Sequence, residues 1–258
     1  MSATVIAVTN QKGGVGKTTT AVNMSYYLAK AGRKTLLIDF DPQGNATSGL
    51  GVEKSQLQTS ILDVMEETAD IDSVKIDLQF KNLSLVPAIA DLANAEPGLA
   101  ALDDRFTRLK KAVEQIKANY DYIVIDVPPS LGLLTVNALT AAKYVLLPVQ
   151  AEFYALEGLS QLLETIKLVR QKLNPTIELV GVLVTMFDVR TTLSSQVYDE
   201  VAKHFPGKIF ATKIPRNVRL AEAPSNGLPI GSYDGLSKGA RAYKAFTKEL
   251  MERVHPVR

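Results

Sequence analysis

The octapeptide Lys12-Gly13-Gly14-Val15-Gly16-Lys17-Thr18-Thr19 has the residue types and spacing to hold a polyphosphate and a divalent cation. Glycines at 13, 14 and 16 let the backbone turn so that successive N–H groups face one anion. A helix starting near Lys17 adds its positive N-terminal end. Lys17 is placed to contact the β- and γ-phosphates of ATP and Thr18 to ligate Mg²⁺, with Val15 and Thr19 completing the cradle. The general pattern G-x-x-x-x-G-K-[ST] opens on a glycine where this chain has Gln11. A second lysine, Lys12, stands five residues before Lys17 and cannot easily reach the same phosphates from the same side.

Phosphoryl transfer to water also needs a held metal, neutralised phosphate charge and a positioned water. Asp126 ends the apolar run Tyr122-Ile123-Val124-Ile125, where a carboxylate that contacts Mg²⁺ through water would sit, and Pro128 and Pro129 stiffen the loop after it. Asp39 and Asp41 follow another apolar run and alternate along an extended segment. They therefore face opposite ways, and only one need point at the nucleotide. Two lysines and a metal without a strong general base predict slow hydrolysis, suited to a timer.

These groups act together only if the chain gathers them. Val5-Ile6-Ala7-Val8 is a short apolar run ended by the glycine loop and reads as a buried strand. Residues 18–31 carry helical spacing at Val22, Tyr26 and Ala29 and stop at Gly32, a natural helix end. Further strands are expected at 35–38, 83–86, 122–125, 144–147 and 179–184, and helices at 105–120 and 154–173. The alternation implies an α/β fold, a mainly parallel twisted sheet with helices on both faces. Ligands bind such sheets outside the C-terminal strand ends. The glycine loop, Asp39 with Asp41, and Asp126 all fall at such ends. Residues 42–60, rich in Gly, Asn, Ser and Thr, read as the longest loop and a mobile one. With no repeat or linker, residues 1–258 read as a single domain. With the glycine loop beginning at residue 12, no N-terminal helix-turn-helix domain is expected.

The chain has no cysteine, which removes disulfides, thiolate metal sites and iron–sulfur carriers and fits a cytoplasmic protein. No apolar run approaches the roughly 20 residues that span a bilayer. Net charge is only +2, but from Lys203 onward eleven Lys/Arg face four Asp/Glu. Lys238, Arg241, Lys244 and Lys248 fall within roughly 120° of a helical wheel. Lys213, Arg216 and Arg219 precede them. Aromatic residues are not interleaved as single-strand stacking requires, and no base-reading motif is visible. Sequence-independent phosphate contact to double-stranded DNA is the expectation.

The segments KGGVGKTTT, IDFDPQGNATSGLG (38–51), YDYIVIDVPPS (120–130), PVQAEFYALEGLSQL (148–162) and IPRNVRLAEAPS (214–225) together resemble the ParA/Soj chromosome- and plasmid-partitioning ATPases. These belong to the deviant Walker A group of P-loop NTPases, which also holds MinD. The resemblance implies that Lys12 crosses to the ATP of a partner subunit in a sandwich homodimer. It implies that Asp41 orients the attacking water while Asp39 lies near the metal. It further implies adenine contacts at Met186, Pro215 and Asn217, and adds Arg190 to the DNA-binding group. The expected partners are a second copy, non-specific DNA and a ParB-type centromere-binding protein that stimulates hydrolysis, at the nucleoid in the cytoplasm. A membrane-acting relative would need a C-terminal amphipathic helix with a basic polar face. Here the tail from Phe246 intersperses Glu249 and Glu252 and reads as a helix docked on the core. An ATP-dependent synthetase would need a second-substrate pocket, for which the sequence offers no dedicated residues.

Overall fold

The computed structural model describes residues 2–153, 155–156 and 158–255. In chain order, the strands are β1 Thr4–Val8, β2 Thr35–Asp39, β3 Ile76–Asp77, β4 Leu83–Val86, β5 Tyr122–Asp126, β6 Tyr144–Gln150 and β7 Glu178–Thr185. Helices α1 Lys17–Lys30, α2 Asn45–Gly49, α3 Ile61–Met65, α4 Ile71–Val74, α5 Asp91–Ala100 and α6 Arg108–Ile116 precede β5. Helices α7 Leu133–Ala141, α8 Leu159–Lys172, α9 Thr192–His204, α10 Val218–Glu222, α11 Ile230–Tyr233 and α12 Lys238–Val254 follow it.

The strands form one sheet in the order β3-β4-β2-β5-β1-β6-β7, parallel except for β3. Strand residues alternate between its faces, as a pleated backbone requires. Ile6 and Val8 pack under α1 and α12, whereas Val5 and Ala7 pack against α3, α6 and α7. Helices α8 and α9 cover β6 and β7 through Leu162, Ile166, Val197 and Val201. β1 leads through α1 to β2 on one side, and β5 leads through α7 to β6 on the other, so the crevice opens at the C-terminal end of β1. Register pairs Asp126 with both Val8 and Asp39, which sets the two carboxylates on neighbouring strands.

Several expectations change. Residues 42–60 are not one long loop: they carry α2 and a 3-10 turn at Lys54–Gln56, and Ala46 and Thr47 are buried. Polar composition hid a segment whose amides are satisfied by nearby turns and by the buried Asp39 carboxylate. The helix expected over 105–120 spans Arg108–Ile116 and ends in a 3-10 turn, Lys117–Asn119. The helix expected from 154 begins at Leu159 after Gly158, whose φ is 77°, and Tyr154 lies outside the described residues. Helix α7 escaped notice because LLTVNALTA is buried around most of its circumference and has no amphipathic period. The C-terminal segment does dock: Phe246 and Leu250 of α12 are fully buried. Residues 256–258 lie outside the described residues. No described helix is long and apolar enough to cross a membrane.

Candidate functional site

The glycine loop follows β1 directly. Gly14 and Gly16 have φ of 75° and 86°, a left-handed region that L-residues avoid, and a β-carbon at Gly13 or Gly14 would meet only open space. Gly16 caps α1, whose first residue is Lys17. The loop is braced from behind. Asn10 accepts the Lys12 N–H at 3.0 Å and donates to the Pro148 carbonyl at 2.7 Å. The Thr185 hydroxyl donates to the Val15 carbonyl at 2.8 Å. Asn10 and Thr185 were missed in the sequence, although Thr185 is a buried polar residue at a strand C-terminus, the signal that picked out Asp39 and Asp126.

The two lysines go different ways. Lys17 is buried, and its ammonium donates to the Lys12 carbonyl at 3.1 Å. Burial lowers its pKa, while Asp126 and Asp41 pull it back up. The Lys12 side chain is 35% exposed and pairs with Glu152, with Nζ 3.8 Å from Oε2. Glu152 also lies 3.8 Å from Arg216 Nη2.

The three carboxylates differ as sharply. Asp39 is fully buried, and its Oδ2 accepts both the N–H and the hydroxyl of Thr47 at 2.7 Å. Its Oδ1 accepts the Asp41 N–H at 3.3 Å. Burial pushes its pKa up to about 6 despite the hydrogen bonds from Thr47. Asp39 thus anchors the turn that carries Asp41. Asp41 Oδ1 accepts the Gln43 N–H at 2.9 Å. Asp126 is fully buried, and neither carboxylate oxygen has a hydrogen-bond partner of good geometry. Burial first, and Asp39 second, raise its pKa well above the usual carboxylate range, with the Thr18 hydroxyl and Lys17 opposing. A buried carboxylate so poorly satisfied is costly and calls for a ligand. The open glycine cradle, buried Lys17 and Asp126 beside Thr18 fit a magnesium–triphosphate. No cluster of three or more His, Cys, Asp or Glu that could hold a metal occurs among the described residues.

This arrangement has a pH signature. The folded chain holds the Asp126 proton to higher pH than the unfolded chain, whose aspartates titrate near ~3.9. In magnesium- and nucleotide-free buffer the favourable contribution is full below that value and is lost as pH rises through the raised pKa. Asp126→Asn is therefore expected to raise the melting temperature at pH 8, with the difference vanishing near pH 4. Each gain of about 1 kcal/mol would shift the melting temperature by roughly 2–4 °C in a chain of this size. Melts from pH 4 to 8 in a chelator check it; a less stable variant at pH 8 contradicts it.

Beside the loop lies a pocket of about 380 Å³ lined by Gly16, Thr19, Met186, Pro215, Asn217 and Tyr243, among others. The residues expected at adenine, Met186, Pro215 and Asn217, thus share one cavity. Asn217 Oδ1 is buried without a donor. Met186 has φ 52°, a conformation costing an L-residue roughly 1–2 kcal/mol.

The basic residues divide into engaged and free. Arg190 forms a two-pronged pair with Asp188, at 2.9 and 2.7 Å, which holds the Asp188 carboxyl well below its usual range. The Lys213 ammonium lies 3.8 Å from the ring centre of Tyr198 and 4.8 Å from that of Phe187. Arg219 pairs with Glu222 at 2.8 Å and Asp234 at 3.6 Å. Lys238, Arg241 and Lys244 are exposed on α12 opposite Tyr243, Phe246 and Leu250, and among the described residues none of the three has an ion pair. Lys248 pairs with Glu252 at 3.9 Å. Gly239 packs on Leu220, where a β-carbon would come within 2.7 Å, so α12 starts beside α10.

Residues 3–179 match a family model described as an AAA domain. The sporulation initiation inhibitor protein Soj of Bacillus subtilis is 54% identical over 246 residues, covering 95% of this chain and 97% of Soj. The chromosome partitioning protein ParA of Myxococcus xanthus is 50% identical over 252 residues, covering 98% and 89% respectively. The chain belongs to the ParA/Soj family. As a ParA/Soj protein it is an ATPase that uses ATP and Mg²⁺. A Mycobacterium smegmatis structure described as cobyrinic acid a,c-diamide synthase, with a bound ATP analogue and magnesium, superposes with a TM-score of 0.90 at 38% identity, covering 99% of this chain and 97% of that one.

Proposed function

We propose that this chain is a DNA-partitioning switch: ATP closes two copies into a sandwich dimer, the dimer binds DNA without sequence preference, and slow hydrolysis ends the bound state. The observation that carries the reading is the division between the two lysines. Buried Lys17 serves the phosphates bound by its own subunit, with the Gly13, Gly14, Val15 and Gly16 amides, Thr18 and Thr19. Lys12, half-exposed and held among the described residues by an ion pair to Glu152, can exchange that carboxylate for phosphates bound by a partner copy. An exposed pair of this kind is worth at most about 1 kcal/mol, so it restrains Lys12 little.

Thr18 would ligate Mg²⁺ and Asp126 would hold it through water; the bound cation neutralises phosphate charge and orients the γ-phosphoryl group. Asp41 orients the attacking water, and Asp39 fixes the turn that carries it. Asn217 would accept from the adenine amino group within the pocket it shares with Met186 and Pro215. With no strong general base beside Asp41, turnover is slow until a ParB-type partner accelerates it. Arg190, Lys213, Arg216, Arg219, Lys238, Arg241 and Lys244 supply phosphate contacts, doubled in the dimer so that weak patches act with avidity. Partitioning of a chromosome or plasmid at the nucleoid follows, in keeping with the names of the most similar relatives. A synthetase reading comes from the name of the M. smegmatis protein. It requires ATP turnover that depends on cobyrinic acid, and turnover stimulated by that acid rather than by DNA and a ParB-type protein would favour it.

The free cations of α12 provide the test. Replacing Lys238, Arg241 and Lys244 together by alanine should weaken duplex binding in ATP by at least about ten-fold at 0.1 M salt and flatten the salt dependence, each lost phosphate contact removing about 0.9 from the logarithmic slope. Fluorescence anisotropy at several salt concentrations measures both. An unchanged slope would show that these residues do not touch DNA.

A further inference from the structure

Lys54 belongs to neither the glycine loop nor the carboxylate set, yet it clamps the turn on which Asp41 sits. It opens the 3-10 turn Lys54–Gln56, and its ammonium donates to the Gln43 carbonyl at 2.8 Å. Its aliphatic stem lies across Gly44: a β-carbon there would come 2.7 Å from Lys54 Cδ and 2.8 Å from the Ala88 carbonyl oxygen. Gly44 has φ 60°, so both its conformation and its surroundings require glycine. The clamped turn is closed by Asp41, whose Oδ1 accepts the Gln43 N–H at 2.9 Å and whose carbonyl accepts the Gly44 N–H at 2.8 Å.

The opposite side of the turn is fixed from the core. Asp39 Oδ2 accepts the Thr47 N–H and hydroxyl, and the Thr47 hydroxyl oxygen accepts the Ala88 N–H at 3.0 Å. The segment from Asp41 to Thr47 is thus held inside by buried groups and outside by one exposed lysine. Gln43 is the shared residue: its N–H fixes the Asp41 carboxylate and its carbonyl takes the Lys54 ammonium. Losing the lysine would leave the inner anchor intact and free the outer edge of the turn.

We infer that Lys54 is a positioning residue for hydrolysis, setting the Asp41 carboxylate through Gln43. The inference rests on the reading of Asp41 as the group that orients water. Lys54 belongs to neither the glycine loop nor the lining of the pocket shared by Met186, Pro215 and Asn217, so its loss should affect turnover and not nucleotide affinity.

The test is steady-state ATP hydrolysis by the full chain with Mg²⁺ and DNA present, for Lys54→Met and Lys54→Arg. Methionine keeps the stem over Gly44 and deletes the donor; arginine keeps a donor. Lys54→Met should lower kcat by about five-fold, the size expected for one lost hydrogen bond of typical net strength at an exposed site. KM for ATP should be unchanged, Lys54→Arg should restore most of the rate, and both variants should melt like the parent. Faster exchange of the Gln43 and Gly44 amides in Lys54→Met would accompany the loss. Unchanged kcat, a loss carried by KM, or a failure of arginine to rescue would each overturn the inference. Failure of the underlying reading is separate, since Asp41→Ala alone would then leave hydrolysis intact.

Discussion

Lys17→Ala should lose ATP hydrolysis by roughly 10²–10³-fold or more, the cost of deleting one preorganised charge at a phosphoryl-transfer site. Lys17 is buried, so its charge acts in surroundings that screen little; burial lowers its pKa, and Asp126 and Asp41 oppose that lowering. Among the described residues its ammonium donates one hydrogen bond, to the Lys12 carbonyl. The variant should therefore keep a cooperative melt while failing to bind nucleotide. Titration with a fluorescent ATP analogue measures this, and retained affinity would contradict the assignment of the loop.

Asp41→Ala should instead separate binding from turnover. ATP affinity should stay within a few-fold of the parent while hydrolysis falls by about 10²-fold, the lower end of the loss expected when a group acting only in the transition state is removed. Asp41 also accepts the Gln43 N–H, so truncation loosens the turn as well as removing charge. Asp41→Asn divides the two effects, because an amide oxygen can still accept that hydrogen bond. If the carboxylate charge is what matters, both variants lose turnover alike. Recovery in Asp41→Asn would assign Asp41 to holding the turn alone.

Much of the site can be read from short local patterns. Strand ends at Val8, Asp39 and Asp126 follow from apolar runs that stop at a glycine loop or a carboxylate, and the parallel sheet then sets them side by side. The amphipathic stripe of α12 is likewise local, since one period of 3.6 residues both buries Phe246 and Leu250 and exposes Lys238, Arg241 and Lys244. What sequence reasoning missed depends on partners far along the chain. Thr185 braces Val15 across 170 residues, and Glu152 meets Lys12 across the mouth of the site. Residues 42–60 read as loose because their composition is polar, yet Thr47 takes the Ala88 N–H across 41 residues, and Asp39 and Lys54 fix the turn locally. The two-residue β3 is too short to show any period. Four of the seven candidate DNA contacts are already engaged with carboxylates or aromatic rings, which a list of lysines and arginines cannot reveal.

The central claim is that ATP makes the dimer and the dimer holds DNA. Sedimentation velocity of Asp41→Ala with Mg²⁺ and a labelled duplex, with and without ATP, tests it most directly. A free monomer is expected without ATP, and with ATP a dimer that carries the duplex. A monomer in ATP, or a duplex bound equally well without ATP, would contradict it.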